Sequence, residues 1–259
     1  MPIVDKSAAR GVLQYHIDLK PGDVGEYVLL PGDPARVELF ARFVEEPCRM
    51  AYKREYQTYT GYYRGIKISC TSTGIGCPST AIAVEELANI GARTFIRIGG
   101  CAGLQPDIRP RHLMIATGAM RNEGTTSFYV PMALPAVPDF FVTQALIQAA
   151  EDLSRRLDFI YHVGIIGSDD AFYGETPEFI ARMNSLGLKC IEMESAALFI
   201  VCHVRGLRGA SICSVSANTF TGEALQDVES GKSLPSRFES VIQVALEAVH
   251  RLHRLREEK

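Results

Sequence analysis

The stretch Thr94-Phe95-Ile96-Arg97-Ile98-Gly99-Gly100-Cys101-Ala102-Gly103 constrains this chain more than any other. Residues 94–98 are β-branched, aromatic or apolar apart from one charge, the make-up of a short buried strand. A glycine-rich turn follows, and Pro106 and Pro110 exclude a long helix directly after it. Arg97 is therefore expected at the carboxyl end of a core strand. A guanidinium there is costly unless it meets an anion or a carboxylate. The neighbouring glycines let backbone N–H groups come close to a ligand. Two readings stand at this point: an anion site at a strand end, or an ion pair with a structural carboxylate.

Around that stretch, strands and helices alternate. Residues 27–30 read as a strand. Pro31-Gly32-Asp33-Pro34 then turns into a helix, with Asp33 as N-cap and Pro34 as the first helical residue. Arg36 falls in its first turn, against the helix dipole, which a bound anion would relieve. Residues 56–63 and 66–72 form a hairpin about Arg64-Gly65. Thr73-Gly74-Ile75-Gly76 leads to a helix opened by Pro78 and closed by Gly91. Beyond the central strand come a strand over 113–117, a loop over 121–138 rich in Pro and Gly, a helix over 139–157 and a strand over 159–166. A loop over 168–174, a helix over 176–186, a strand over 189–191, a helix over 194–205 and a strand over 208–215 follow. A polar segment over 218–233 and a long terminal helix capped by Ser233 complete the chain. The alternation, without repeats or linkers, predicts a single α/β domain over 1–259, its sheet mixed because of the hairpin.

Several function classes are disfavoured. The formal charge is −3 with no Lys/Arg run, which argues against nucleic acid as a partner. The apolar runs are too short to span a bilayer as helices. Seven cysteines without a C-x-x-C pair, after a polar first twenty residues, suggest free thiols and a cytoplasmic setting. No His/Cys spacing fits zinc. Gly74-Ile75-Gly76 lacks the third glycine of a dinucleotide fingerprint, Ser79 standing there. Gly231-Lys232-Ser233 lacks the earlier glycine of a phosphate loop, Gln226 standing there. His112, His162, His203, His250 and His253 read as structural or solvated. Glu192-Met193-Glu194 places two acids at the end of a short apolar strand. They suit sugar hydroxyls, whose O–H groups donate to carboxylates. The alternative is N-capping by Glu194 beside a solvated Glu192.

Taken together, Pro31 to Arg36, Arg54-Glu55, Ser72 to Gly76, Arg97-Ile98-Gly99, Phe172-Tyr173 and Glu192 to Ser195 resemble the nucleoside phosphorylase family of uridine phosphorylases and hexameric purine nucleoside phosphorylases. The stretch Gly118 to Asp139 resembles the uridine branch. The resemblance covers nearly the whole chain, from Gln14 to the terminal helix. It implies a three-layer αβα sandwich with a mixed, partly barrel-like sheet. It implies phosphorolysis of a nucleoside to free base and pentose 1-phosphate, with no cofactor beyond inorganic phosphate as co-substrate. Catalysis would rest on Arg97, Glu194 and Arg36. Phosphate would be held by Gly32, Arg36, Arg97 and Gly100, with Arg54 from a neighbouring subunit. Ribose would be held by Glu192, Met193 and Glu194, with His16 from that neighbour. The base would meet Cys101, Ala102, Phe172, Ala217 and Asn218. Glu55, Ile75 and Ser79 match positions that hold a monovalent cation, a structural K+, in some members. The expected assembly is a dimer-based homo-oligomer, a hexamer, with shared sites.

Two departures bear on specificity. Gly100 replaces a usual Ser or Thr, which puts one hydroxyl contact in question. The Gln and Arg that read uracil in uridine phosphorylases fall near Thr176 and Glu178, neither of which donates as Arg does, while the purine branch's catalytic Asp is Ala217. The loop between Phe172 and Glu192 is short, as in the purine branch. The base is therefore expected to be purine or broad. The alternatives are a uridine phosphorylase with an atypical pocket, a nucleosidase that uses water, and a nucleoside-binding protein without turnover.

Overall fold

The computed structural model describes residues 11–224 and 236–257. Among these, the strands are β1 (Tyr27–Leu30), β2 (Glu45–Lys53), β3 (Tyr56–Tyr63), β4 (Ile66–Thr71), β5 (Thr94–Gly103), β6 (Leu113–Asn122), β7 (Tyr161–Asp169), β8 (Cys190–Glu192), β9 (Arg208–Asn218) and β10 (Glu223–Ala224). The helices are α1 (Pro34–Phe40), α2 (Cys77–Asn89), α3 (Phe140–Leu157), α4 (Pro177–Ser185), α5 (Ser195–Arg205) and α6 (Ser236–Glu257). The sheet order is β10-β9-β6-β7-β8-β5-β1-β4-β3-β2, and an additional β9–β5 pairing closes five of the strands into a barrel. The rest fans out as an open sheet. Helices α2 and α5 cover one face through residues such as Val84, Leu87, Leu198 and Val201. Helices α1, α3 and α6 cover the other through Phe40, Leu146, Val241 and Leu246. The expected three-layer arrangement with a mixed sheet is what the chain adopts.

Strand β5 is the axis of this fold, and it is longer than its apolar run. Its glycines do not turn the chain; they continue the ladder with β9, Gly99 opposite Cys213 and Gly100 opposite Ser214. On its other edge β5 pairs with β1 only as far as Arg97, opposite Leu30. It pairs with β8 only from Ala102, opposite Ile191. Residues 98–101 therefore face a gap in the sheet, and Arg97 stands at its lip rather than at a strand terminus. Side-chain alternation sends Phe95 to one core and Ile96 and Ile98 to the other.

Two strands had no signal in the pattern. β2 is a largely exposed edge strand containing Pro47, with breaks in its register against β3. β10 is two residues long. The expected cap at Asp33 holds, accepting from Ala35 N at 2.9 Å, and Asp139 caps α3 in the same way, accepting from Val142 N at 2.9 Å. The Ser233 cap and most of the polar 218–233 segment lie outside the described residues.

Candidate active site

The gap beside β5 opens into a cavity of about 720 Å³, within the range of small-molecule sites. Three loops wall it, together with β5 and the β8–α5 turn. The β1–α1 loop brings Gly32 and Arg36, and the β4–α2 loop brings Gly74 and Ile75. These two are zipped together by Thr73 N to Pro31 O and Gly74 N to Gly32 O, both 2.9 Å. A side chain at residue 32 would start 3.0 Å from Gly74 O, so anything but glycine would press the two loops apart by a few tenths of an ångström. The β7–α4 loop brings Phe172 and Glu175 from across β5.

Arg97 is 4% exposed and lies over Gly99, where any Cβ would sit 2.5 Å from its guanidinium carbon. Its Nε donates to Glu192 at 2.8 Å, and Nη2 pairs with Glu194 and reaches Gly100 O at 3.5 Å. Burial works to lower its pKa, but the two carboxylates outweigh that and hold it raised. Nη1 meets no protein acceptor among the described residues. The ion-pair reading of Arg97 thus holds, since it is paired with two buried acids, and it also lines the cavity with Nη1 unpaired among the described residues.

The two acids divide their work differently from either expectation. Glu192 accepts from Ser168 Oγ, Arg97 Nε, Glu194 N and Ser195 N, so it is the carboxylate that caps α5. With its oxygens occupied and its side chain 1% exposed, Glu192 anchors Arg97 at the edge of the cavity that it helps to line. Glu194 stands at the N-cap position but makes no cap bond. It reaches across instead, accepting from Gly76 N at 2.7 Å and pairing with Arg97. Burial raises its pKa, Arg97 opposes that, and Glu192 adds to it. Met193 lines the cavity beside it.

Arg36 is half-buried, lines the cavity and stacks its guanidinium 3.7 Å from the Phe238 ring centroid on α6. Arg54 and His16 are outside this cavity. Arg54 is exposed at positive φ in the β2–β3 turn. His16 is bound to Glu86, Nδ1 to Oε1 at 2.6 Å. Lys53 donates to Tyr15 O at 2.7 Å, so the two segments share one face. Glu55, Ile75 and Ser79 are neighbours: Ser79 Oγ donates to Ile75 O at 3.2 Å, and the Glu55 side chain packs on Gly74.

At the base-facing wall the structure corrects the expectation for Asn218. Its amide donates to Gln105 O and Ile108 O, both 2.8 Å, and accepts from Phe220 N and Thr221 N. It is a loop staple, 1% exposed. Ala217 is not among the lining residues; Ser216 is, donating to Cys101 O at 3.0 Å. Cys101, Ala102 and Phe172 do line the cavity. The Cys101 thiol is pushed up, first by its bond with Cys190 and then by burial, so it is no nucleophile. Thr176 caps α4 and Glu178 is exposed beside it, so neither reaches the site. The residue that sequence reasoning missed is Glu175, between them and Phe172, half-buried and lining the cavity.

A sequence model of the Phosphorylase superfamily matches residues 26–256. The chain belongs to that family. This phosphorylase is 48% identical over 224 residues to the uridine phosphorylase of Thermococcus kodakarensis, covering 82% of this chain and 79% of that one. It is 44% identical to the uridine phosphorylase of Treponema pallidum, with 91% and 93% covered. It is 40% identical to the guanosine phosphorylase of Halorubrum lacusprofundi, with 91% and 98% covered. A crystal structure of uridine phosphorylase from Vibrio fischeri superposes with a TM-score of 0.85 at 33% identity, covering 92% of this chain and 97% of that one. The protein is a nucleoside phosphorylase, a pentosyltransferase. No helix among the described residues is long and apolar enough to cross a membrane.

Proposed function

We propose that this phosphorylase cleaves purine nucleosides, or a broad set that includes them, rather than uridine alone. The observation that carries the reading is the cavity wall itself: no Arg or Gln side chain faces the base from the β7–α4 loop, where Phe172 and Glu175 stand instead. A site without the donors that pair a uracil edge discriminates on other grounds.

The reaction follows from the buried clamp. Phosphate is held by Arg97 Nη1, Arg36 and the backbone at Gly32 and Gly100, with Arg54 supplied by a neighbouring subunit. Glu194 accepts from the ribose hydroxyls, Met193 packs on the sugar, and the neighbour's copy of His16 completes the 5′ end. The C1′–N bond breaks and its electron pair leaves with the base. The sugar becomes oxocarbenium-like, and a phosphate oxygen closes on C1′ to give the pentose 1-phosphate. Pre-positioned phosphate and sugar make that capture effectively unimolecular. Glu192 works one step back, by holding Arg97. Shared sites require a dimer-based assembly, for which a hexamer is our reading. A structural K+ at Glu55, Ile75 and Ser79 and a cytoplasmic setting for the seven free thiols belong to the same proposal.

The relatives named uridine phosphorylase support uridine as the runner-up substrate. A panel of uridine, thymidine, inosine, guanosine and adenosine, assayed with and without phosphate, separates the readings. Base release is expected only with phosphate, and from at least one purine nucleoside. Release at equal rates without phosphate would make the protein a nucleosidase, and turnover of uridine alone would end the purine reading.

A further inference from the structure

The acids of the β7–α4 loop are all engaged with donors except one. Asp169 accepts from Asn122 Nδ2 at 2.9 Å and from Ala171 N at 3.0 Å. Asp170 accepts from Gly124 N at 2.8 Å. Glu178 is hydrogen-bonded with Thr176 at the start of α4. Glu175 has no partner among the described residues, yet it is half-buried and lines the cavity. Its backbone is held on both sides, by the turn in which Gly174 N donates to Ala171 O at 2.7 Å and by the Thr176 cap, whose Oγ1 accepts from Phe179 N at 3.2 Å.

Such a carboxyl is out of place without a ligand. Burial, with Asp169 adding to it, pushes its pKa up to about 6, so it is still ionised at neutral pH. The protein around it offers no compensation. Arg97 is engaged by Glu192 and Glu194. Cys101, Ala102, Phe172 and Ile191 bring no cation, and the Ser216 hydroxyl donates to Cys101 O. No protein donor among the described residues is placed to meet it, so its donors come from water or from a molecule that displaces that water in the cavity.

We propose that Glu175 reads the base, its two carboxylate oxygens accepting the adjacent N1–H and 2-amino N–H of guanine, so that guanosine-type nucleosides are the preferred substrates. The proposal rests on the purine reading above and narrows it. The chemistry ranks the bases. Guanine presents two neighbouring donors, which a carboxylate meets in bidentate fashion. Hypoxanthine presents one. Uracil presents one donor between two carbonyl oxygens, which repel a carboxylate. Adenine sets a ring-nitrogen acceptor beside its amino group.

The test compares kcat/KM for guanosine, inosine and uridine at pH 7.5 with saturating phosphate, in the wild type and in Glu175→Gln. Inosine differs from guanosine only by the missing 2-amino group. In the wild type guanosine is expected to exceed inosine by about tenfold or more, the scale of one hydrogen bond to a charged group. In Glu175→Gln that ratio should collapse to within about threefold, because the amide keeps only one acceptor and sets an N–H₂ against the base donors. Wild-type guanosine at or below inosine overturns the proposal without any variant. So does a guanosine-to-inosine ratio that survives the substitution. Equal slowing of both purines in Glu175→Gln also overturns it, since that pattern marks an acid acting on their shared imidazole ring or a merely structural group. Failure of the parent reading looks different: no purine nucleoside would be split in a phosphate-dependent way at all.

Discussion

On one side of the cavity three charged groups are buried and hold one another in place: Arg97 is held by Glu192 and Glu194, Glu192 by two backbone N–H groups and Ser168, and Glu194 by Gly76. On the opposite side, Phe172 is 61% exposed, Tyr173 fully so, and the one carboxyl facing inward has no partner. The first wall grows from the ladder of β5 and β8 and from the cap of α5; the second is a short loop between β7 and α4. Phosphate and pentose are common to every substrate of such an enzyme, so on the proposed reading the groups that would hold them gain from being over-determined. The base is what varies, and a loop can change without disturbing the core. The contrast predicts that substitutions on the two sides fail in different ways, the first lowering stability and all turnover together, the second altering selectivity alone.

The largest expected effect is at Arg97. Arg97→Ala removes the nitrogen facing the cavity and leaves two buried carboxylates without their cation. A loss of more than ~30-fold in kcat/KM with phosphate is expected, from about 2–5 kcal/mol for truncating a buried charge partner. Stability should fall with it, by about 3–5 kcal/mol, or roughly 10 °C in Tm for a chain of this size. Calorimetry alongside phosphorolysis assays checks both. Near-wild-type turnover would break the comparison at its stronger end.

That wall was also the more legible one. Arg97 in an apolar strand followed by glycines, and two acids after another apolar strand, are local anomalies that demand partners, and the chain supplies them to each other. What could not be read was the division of labour. Glu192 and Glu194 are equivalent as letters; only the antiparallel return of β8 along β5 decides which one caps α5 and which one crosses to Gly76. The extent of β5 was hidden for a related reason, since glycines that signal a turn can equally continue a ladder when a guanidinium lies over them. β2 escaped because an exposed edge strand need not alternate apolar and polar residues. At the base wall the resemblance put Thr176 and Glu178 near the positions of the family's base readers and offered Asn218 as a base contact, and a shift of one residue in a loop sends a side chain to a cap, to water or into the cavity. Asn218 misled because a polar residue after a core strand suits a ligand and a loop staple equally well.

Glu192→Gln sharpens the division of labour. The amide cannot accept at both oxygens, so the bonds from Arg97 Nε, Glu194 N and Ser195 N are not all kept. A destabilisation of about 2–3 kcal/mol is expected. If Glu192 acts only by positioning Arg97, as its bonds suggest, KM for phosphate should rise about tenfold while KM for the nucleoside moves little. Initial rates with each substrate varied in turn make the distinction. A larger rise for the nucleoside would return Glu192 to the ribose and blur the boundary between the anchor and the sugar site.

The smallest effect is a shift in selectivity with pH, and it belongs to the loop alone. The carboxyl of Glu175 has its pKa raised to about 6 by burial and by Asp169, so it gains a proton as pH falls from 7.5 towards 5.5. Protonated, it presents one donor and one acceptor and no longer matches two adjacent N–H groups. The ratio of kcat/KM for guanosine to that for inosine should then fall several-fold between those pH values, following the free enzyme's ionisation. Asp169 on β7 acts on Glu175 through its charge, and the other charged groups lining the cavity are Asp33 and Arg36 at α1, Arg97 on β5, Glu192 on β8 and Glu194 after it. Glu194, its own pKa raised, titrates on the sugar side and acts on both substrates alike, so it cancels in the ratio. In Glu175→Gln the ratio should be flat with pH. A wild-type ratio that is flat, or a variant ratio that still bends near pH 6, would mean that selectivity is set on the anchored wall, and the two sides of the cavity would no longer be separable.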